Sequence, residues 1–423
     1  MTQLARAAGA LACAALLLAV TPALAASPPA HAGKTTPAQA RAEDFDVLWR
    51  AIDTGYAYFD GRRAEWSKVR AKWRPRAVHA GTSRELLAAL EGAVDALDDQ
   101  HVTLSQRTPE ARRRIPSETD IWARWRDGAA VVEAVRAFGD ADVAGLKPGD
   151  AVTRVQGRDV AEAVREQAGE GASPAERDRA LRSLLAGPRI GGLRLEVRDA
   201  RGTRSLVVER AAAPPPHGPA VTALRMGEAR DLGYVRLRAA QPAERVVREL
   251  DRALALLADT RGMILDLRQS PGPPTRAATR AILARFAPAG TPWQIRVARS
   301  GARVTDLVPE GTLRYGAPLV VLVDRWTEGE AEALAAGLHE AAHARLLGTP
   351  TAGLHGDLRA VTLPHSRIVL RFPAERTLLL DGSPREPLRP DVAVDLAAPS
   401  GGPGDPILYQ GLKAFDAAPA APR

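Results

Sequence analysis

The sequence predicts an α/β protein, α+β when its whole length is counted, on three observations. Strand-like and helix-like runs alternate across residues 220–396, a glycine-punctuated set of short strands occupies 116–210, and a helix-rich stretch fills 41–115. The chain has 423 residues, 45% hydrophobic and 26% charged, which is ordinary for a globular protein and allows two or three domains. Of its 58 basic residues five are lysine and the remaining 53 arginine, for a net charge of +8. The arginines run along the whole chain among 50 acidic residues, and aromatics are only 4%. That pattern argues against nucleic acid as a partner.

Residues 1–25 read as a secretory signal: Arg6 is the only charge, an apolar run spans Leu11 to Val20, and Ala23-Leu24-Ala25 offers a cleavage site. The run is too short to span a bilayer and no later stretch approaches about 20 apolar residues, so no stable membrane insertion is expected. The expected location is the periplasm or beyond. Cys13, the sole cysteine, lies inside the run with alanine three positions before it, which argues against a lipid anchor. The mature chain would then hold no disulfide and no cysteine-based zinc finger.

Residues 26–40, rich in Ala, Pro, Ser and Thr, read as a linker. Phe45, Leu48, Trp49, Ile52 and Tyr56 then recur at helical spacing. A second helix follows Thr82, with Glu85 completing a capping box and Leu86, Leu87, Leu90, Val94 and Leu97 on its apolar face. Residues 129–135 and 151–155 read as strands. After Pro214-Pro215-Pro216, strands are expected at 232–237, 262–267 and 318–323, and helices at 244–257, 276–286 and 330–343. Residues 397–423, rich in Pro, Gly and Ala, read as a flexible tail.

Several stretches share one resemblance. Ala144-Gly145-Leu146-Lys147-Pro148-Gly149-Asp150 with Val155-Gln156-Gly157-Arg158 looks like the core of a PDZ domain. Gly262–Arg268 and Leu322–Thr327 resemble the strands before the glycine-rich loop and the nucleophile of tail-specific (C-terminal-processing) serine peptidases. Phe45–Phe59, Asp98–Leu104, Gly348–Gly353 and Arg389–Val392 are similar to the tricorn-core-like branch of that family. The resemblance covers about 41–396. It implies a crotonase-like peptidase core, a PDZ-like domain over 116–210, no cofactor, and peptides or unfolded protein C-termini as partners.

The implied chemistry needs a serine on a sharp strand-to-helix turn, a base, and backbone N–H groups for the oxyanion. Taken alone, His101 reads as a helix-end histidine packed or capping locally; the resemblance makes it the base. The serine position falls on Gly329, while Glu332 keeps the family's glutamate three residues on. The oxyanion loop carries Gly272, Pro273 and Pro274, and Pro273 and Pro274 replace paired glycines with residues that have no N–H. Leu354 stands where some relatives place a lysine base. Glu386 matches the glutamate that orients the histidine, and equally suits a solvated loop carboxylate.

The resemblance therefore implies a peptide binder with impaired hydrolysis. The alternative is an active serine endopeptidase with a displaced nucleophile, for which Thr327 and Ser270 are the nearest hydroxyls. A zinc peptidase is a third reading, because His339-Glu340-Ala341-Ala342-His343 matches H-E-x-x-H, with His355 or Asp357 as a further ligand. Against it, the helix is expected to end at once, and no metal site is expected. Asp266 reads as structuring the loop after its strand, and Asp391 stands out beside Pro390. Peptide binding in the PDZ-like segment is expected at Gly128, Ala129, Ala130 and Val131, unless that segment merely packs on the core.

Overall fold

The computed structural model describes residues 36–60, 63–189, 191–209, 219–238, 242–311, 315–396 and 404–416. The signal segment 1–25, Cys13 and most of the expected linker lie outside them. Helix α1 (Pro37–Gly55) begins inside that linker, because Thr36 and Gln39 form a capping box and Pro37 sets the first turn. Helix α2 (Arg63–Val78) carries little periodic signal: charged residues and Pro75 interrupt its apolar face. It is held by Trp66, whose ring stacks on Trp49 at 6.5 Å, each indole N–H donating to the other residue's carbonyl (3.1 and 3.2 Å). Helix α3 (Ser83–Asp95) starts at the Thr82–Glu85 capping box, as its sequence predicts. Strand β1 (Thr103–Leu104) follows.

A β-rich unit comes next: β2 (Ile121–Arg126), β3 (Ala129–Val135), α4 (Asp140–Val143), β4 (Ala151–Val155), β5 (Arg158–Asp159), α5 (Val160–Ala168), α6 (Pro174–Ala186), β6 (Leu193–Asp199) and β7 (Gly202–Val208). Its sheet runs β2-β3-β4-β6-β7, with β5 on β4. The β2–β3 turn is Asp127-Gly128, both at positive φ, as a two-residue hairpin loop requires. Strand β3 therefore has β2 on one side and β4 on the other. The expected peptide-binding run Gly128–Val131 is a hairpin tip and an internal strand. It has no free edge to offer.

The last unit contains β8 (Val221–Met226), β9 (Leu232–Leu237), α7 (Ala243–Leu256), β10 (Gly262–Asp266), α8 (Arg276–Leu283), β11 (Pro292–Ala298), β12 (Arg303–Leu307), β13 (Leu319–Val323), α9 (Glu330–Ala342), β14 (Arg345–Gly348), β15 (Asp357–Thr362), β16 (Val369–Leu378), β17 (Val392–Ala393) and α10 (Pro406–Lys413). Its main sheet has the order β17-β14-β13-β10-β9-β8, parallel throughout except for β8. Every residue of β10 and β13 is buried, the expected state for strands covered on both faces. Alternation assigns Val235, Met263, Leu265 and Val321 to the core shared with α7, α8 and α9. Tyr234, Ile264 and Leu322 face the other way, onto Ile407 and Phe415.

Helix α10 lies within the expected flexible tail, and the described part of that tail is thus structural. A second, antiparallel sheet, β1-β16-β11-β12 with β15 on β16, turns Leu370 and Phe372 into the core of α1–α3. Phe372 comes so close to Gly55 that an added Cβ would sit 2.9 Å from its ring. This contact ties the N-terminal helices to the α/β core and brings residues 99–101 toward the loop after β14.

Candidate active site

Strand β13 delivers the chain into the turn Asp324–Gly329, from which α9 departs. Thr327 fixes the turn: its hydroxyl donates to Leu267 O (3.0 Å) and accepts from Asp324 N (2.9 Å). Asp324 in turn accepts from Gln269 N and Trp326 N. At the apex, Gly329 has φ 56° and ψ −118°, a conformation strained for any residue with a side chain. Such a strained turn is how a strand-to-helix elbow exposes a nucleophile. A Cβ added at Gly329 would meet only Pro271 O, at 3.7 Å. The elbow has the conformation and the room, and it has no reacting atom.

The 270–274 loop docks on this elbow. Glu328 N donates to Ser270 O (3.0 Å) and Ala331 N to Pro271 O (3.1 Å). Gly272 sits so close that a Cβ would lie 2.2 Å from Ala331 N. Two sequence-predicted parts are thereby brought together. As an oxyanion hole the loop is empty-handed: Gly272 N is spent on Ser270 Oγ (3.0 Å), and Pro273 and Pro274 have no N–H. Ser270 and Thr327 are both fully buried and both engaged in holding their loops.

Glu332, one turn into α9, is fully buried and accepts from Thr351 Oγ1 (2.5 Å), Gly353 N (2.9 Å) and Leu354 N (3.1 Å). Burial pushes its carboxyl up to about 7. Its hydrogen bonds hold the 351–356 strap, whose next residue, His355, offers its carbonyl to His101 Nδ1 at 2.5 Å. That contact assigns the proton of His101 to Nδ1 and leaves Nε2 as the basic nitrogen. Burial holds the His101 imidazole below its ordinary pKa. Asp99 fixes the segment by accepting from His101 N (2.8 Å) and Tyr56 Oη (2.7 Å).

Glu386 departs from the role the resemblance implies. It accepts from Thr377 Oγ1 and Gly356 N (3.3 Å) and pairs with Arg385 at 2.6 Å, while the atom that orients His101 is the His355 carbonyl. It is not a solvated loop carboxylate either, since its side chain is 2% exposed. Sequence reasoning missed Asp99, Tyr58, His355 and Arg385 as a group. His355 stacks on Tyr58 at 4.6 Å and lies 3.4 Å from Asp99, whose charge raises the imidazole pKa. The Asp99-x-His101 spacing was the one signal that could have pointed to this cluster.

The H-E-x-x-H reading fails on geometry. Helix α9 ends at Ala342, and His343 is its left-handed cap at φ 52°, so the second histidine lies outside the helix that the H-E-x-x-H pattern requires. His339 Nδ1 lies 3.1 Å from Ala344 O, and Asp357 pairs with Arg276. Among the described residues no group of three or more His, Cys, Asp or Glu could hold a metal ion. Asp266 accepts from Arg268 and Tyr234 and shapes the loop after β10, and Asp391 accepts from Leu346 N. No helix among the described residues is long and apolar enough to cross a membrane.

Residues 231–394 match the model for peptidase family S41, and residues 37–91 match that for the tricorn protease C1 domain. Among solved structures, the photosystem II D1 C-terminal processing protease is 20% identical, with a TM-score of 0.51 over 84% of this chain and 93% of that one. Mature CPAF is 15% identical at a TM-score of 0.55, over 89% and 95%. A lipoprotein from Streptococcus agalactiae is 12% identical at 0.50, over 89% and 96%. At these identities the likeness is one of fold. No curated protein matches the chain. With the two family matches in chain order on a shared architecture, this chain belongs to peptidase family S41, the tail-specific serine peptidases.

Proposed function

We propose that this S41 chain is exported, binds peptides or the C-termini of unfolded proteins, and does not cleave them. The observation that carries the reading is Gly329: an elbow in the strained conformation that presents a nucleophile, with no oxygen or sulfur on it. The 270–274 loop supports it independently, since its glycine N–H is engaged and its two prolines have none to give. Loss of even one oxyanion donor costs about 10²–10³ in rate. The signal-like residues 1–25 support export.

Binding is assigned to the PDZ-like unit over 116–210, at the outer edge of β2 beside α6 rather than at Gly128–Val131. Among the described residues strand β2 pairs only with β3, which leaves its other edge for an added strand. Asp178 of α6 already accepts one edge donor, Trp125 N, at 2.7 Å. A peptide entering there would exchange that side-chain acceptor for its own carbonyl.

The test is cleavage of an unfolded protein by wild type, Gly329→Ser and the triple variant Gly329→Ser/Pro273→Gly/Pro274→Gly. We expect no turnover by wild type, little by the single variant, and measurable turnover by the triple. Wild-type cleavage that is abolished by a serine-directed phosphonate would overturn the reading.

A further inference from the structure

Around Trp122 of β2, where the β-rich unit meets the α/β core, the uncommitted polar groups are all donors. Arg182 of α6 lies 4.4 Å from the Trp122 ring centroid and Arg325, in the turn after β13, lies 4.6 Å from it. Trp122 Nε1 is buried and has no hydrogen-bond partner among the described residues. Arg325 is half-buried and has no hydrogen bond or ion pair among the described residues. The Arg182 side chain is 17% exposed, and its carboxylate neighbour Asp178 is 3.9 Å away. Arg124 adds a further cation, 3.5 Å from Asp178 and 3.8 Å from Glu133.

The two carboxylates are already committed, Asp178 to Trp125 N and Glu133 to Arg126. They are outnumbered by the guanidiniums gathered around them. Burial, opposed by Glu133 and reinforced by Arg124, Arg182 and Arg389, brings the Arg325 guanidinium down to about 10. Buried donors without acceptors are costly, and guanidinium groups bind carboxylates in paired, charge-assisted hydrogen bonds.

We infer that the Arg182–Trp122–Arg325 stack binds a peptide carboxylate, either an Asp or Glu side chain or the free C-terminus, so that the partner is a peptide anchored by its carboxylate. This rests on the peptide-binding reading above and narrows it. Arg325 is four residues from Gly329, so an anchored carboxylate places the peptide on the same turn that forms the elbow.

Three fluorescein-labelled octapeptides test it by polarisation: one with two aspartates and an amidated end, one with two asparagines and a free carboxylate, and one with asparagines and an amide. At least one carboxylate peptide should bind about tenfold or more tightly than the asparagine amide, and which one does so identifies the source. Arg182→Gln/Arg325→Gln should erase that preference, and Arg325→Lys, which keeps the charge without the fork, should weaken it. Equal binding of all three peptides, or a preference that survives the double variant, overturns the inference. Succinate provides a readout independent of peptides: it should raise the melting temperature of wild type and leave the double variant unmoved. Cleavage of the peptides would overturn the proposed function alone. If no peptide of any charge binds, that reading falls as well, and an absent succinate effect then overturns the carboxylate site.

Discussion

Around Gly329 the turn carries strained dihedrals and no side chain, whereas around His101 the carboxylates Asp99, Glu332 and Glu386 are all held by hydrogen bonds. The elbow keeps its strained dihedrals and its docked loop without hydroxyl or oxyanion donors. The histidine side keeps Asp99, Glu332, Glu386 and the 351–356 strap in one buried network. The difference separates two kinds of constraint. A nucleophile and its oxyanion donors serve turnover alone, while the histidine-side carboxylates also satisfy buried backbone N–H groups and would leave them unpaired if lost.

The largest expected effect tests whether the stripped half is otherwise sound. Restoring Pro273 and Pro274 to glycine on top of Gly329→Ser should raise peptide turnover by about 10²-fold over Gly329→Ser alone, read in an initial-rate assay. No gain would mean that the histidine side does not support hydrolysis. Next comes Glu332→Ala, which strands Thr351 Oγ1, Gly353 N and Leu354 N; it should cost about 3 kcal/mol in urea denaturation. A loss below about 1 kcal/mol would show that the network is not structural.

The same residue gives a pH signature. Folding lifts the Glu332 carboxyl to about 7, so the folded chain keeps a proton that the unfolded chain releases above about 4.3. Its contribution to stability is complete below that lower value and is lost as pH rises through 7. Glu332→Gln should therefore flatten the fall in stability between pH 4.5 and 7, measured by melting temperature across buffers. The smallest effect lies away from the site: Trp49→Phe removes one of the two reciprocal indole hydrogen bonds between α1 and α2 and should cost about 1 kcal/mol.

Much of the architecture was legible because burial writes itself into period and composition. The strands at 129–135, 151–155 and 232–237 coincide with β3, β4 and β9, and the fully apolar Leu319–Val323 could only be an interior strand. Helix α2 was illegible because its stability comes from a tryptophan pair contributed by two helices, and α10 because eight residues amid Pro and Gly carry too short a pattern. At the site, the vacancy at Gly329 could be read directly. The partner of His101 could not, since a backbone carbonyl 254 residues away leaves no mark on composition or spacing.

Helix α10 reaches beyond architecture into the order in which the chain is made. Tyr234, Ile264 and Leu322 wait for Ile407 and Phe415, and the loop after β10 waits for Asp405, which pairs with Arg268 at 2.8 Å. During synthesis the sheet's second face stays wet until these last segments leave the ribosome, long after β9, β10 and β13 have emerged. A nascent chain stalled before residue 405 would expose that apolar face to chaperones and proteases.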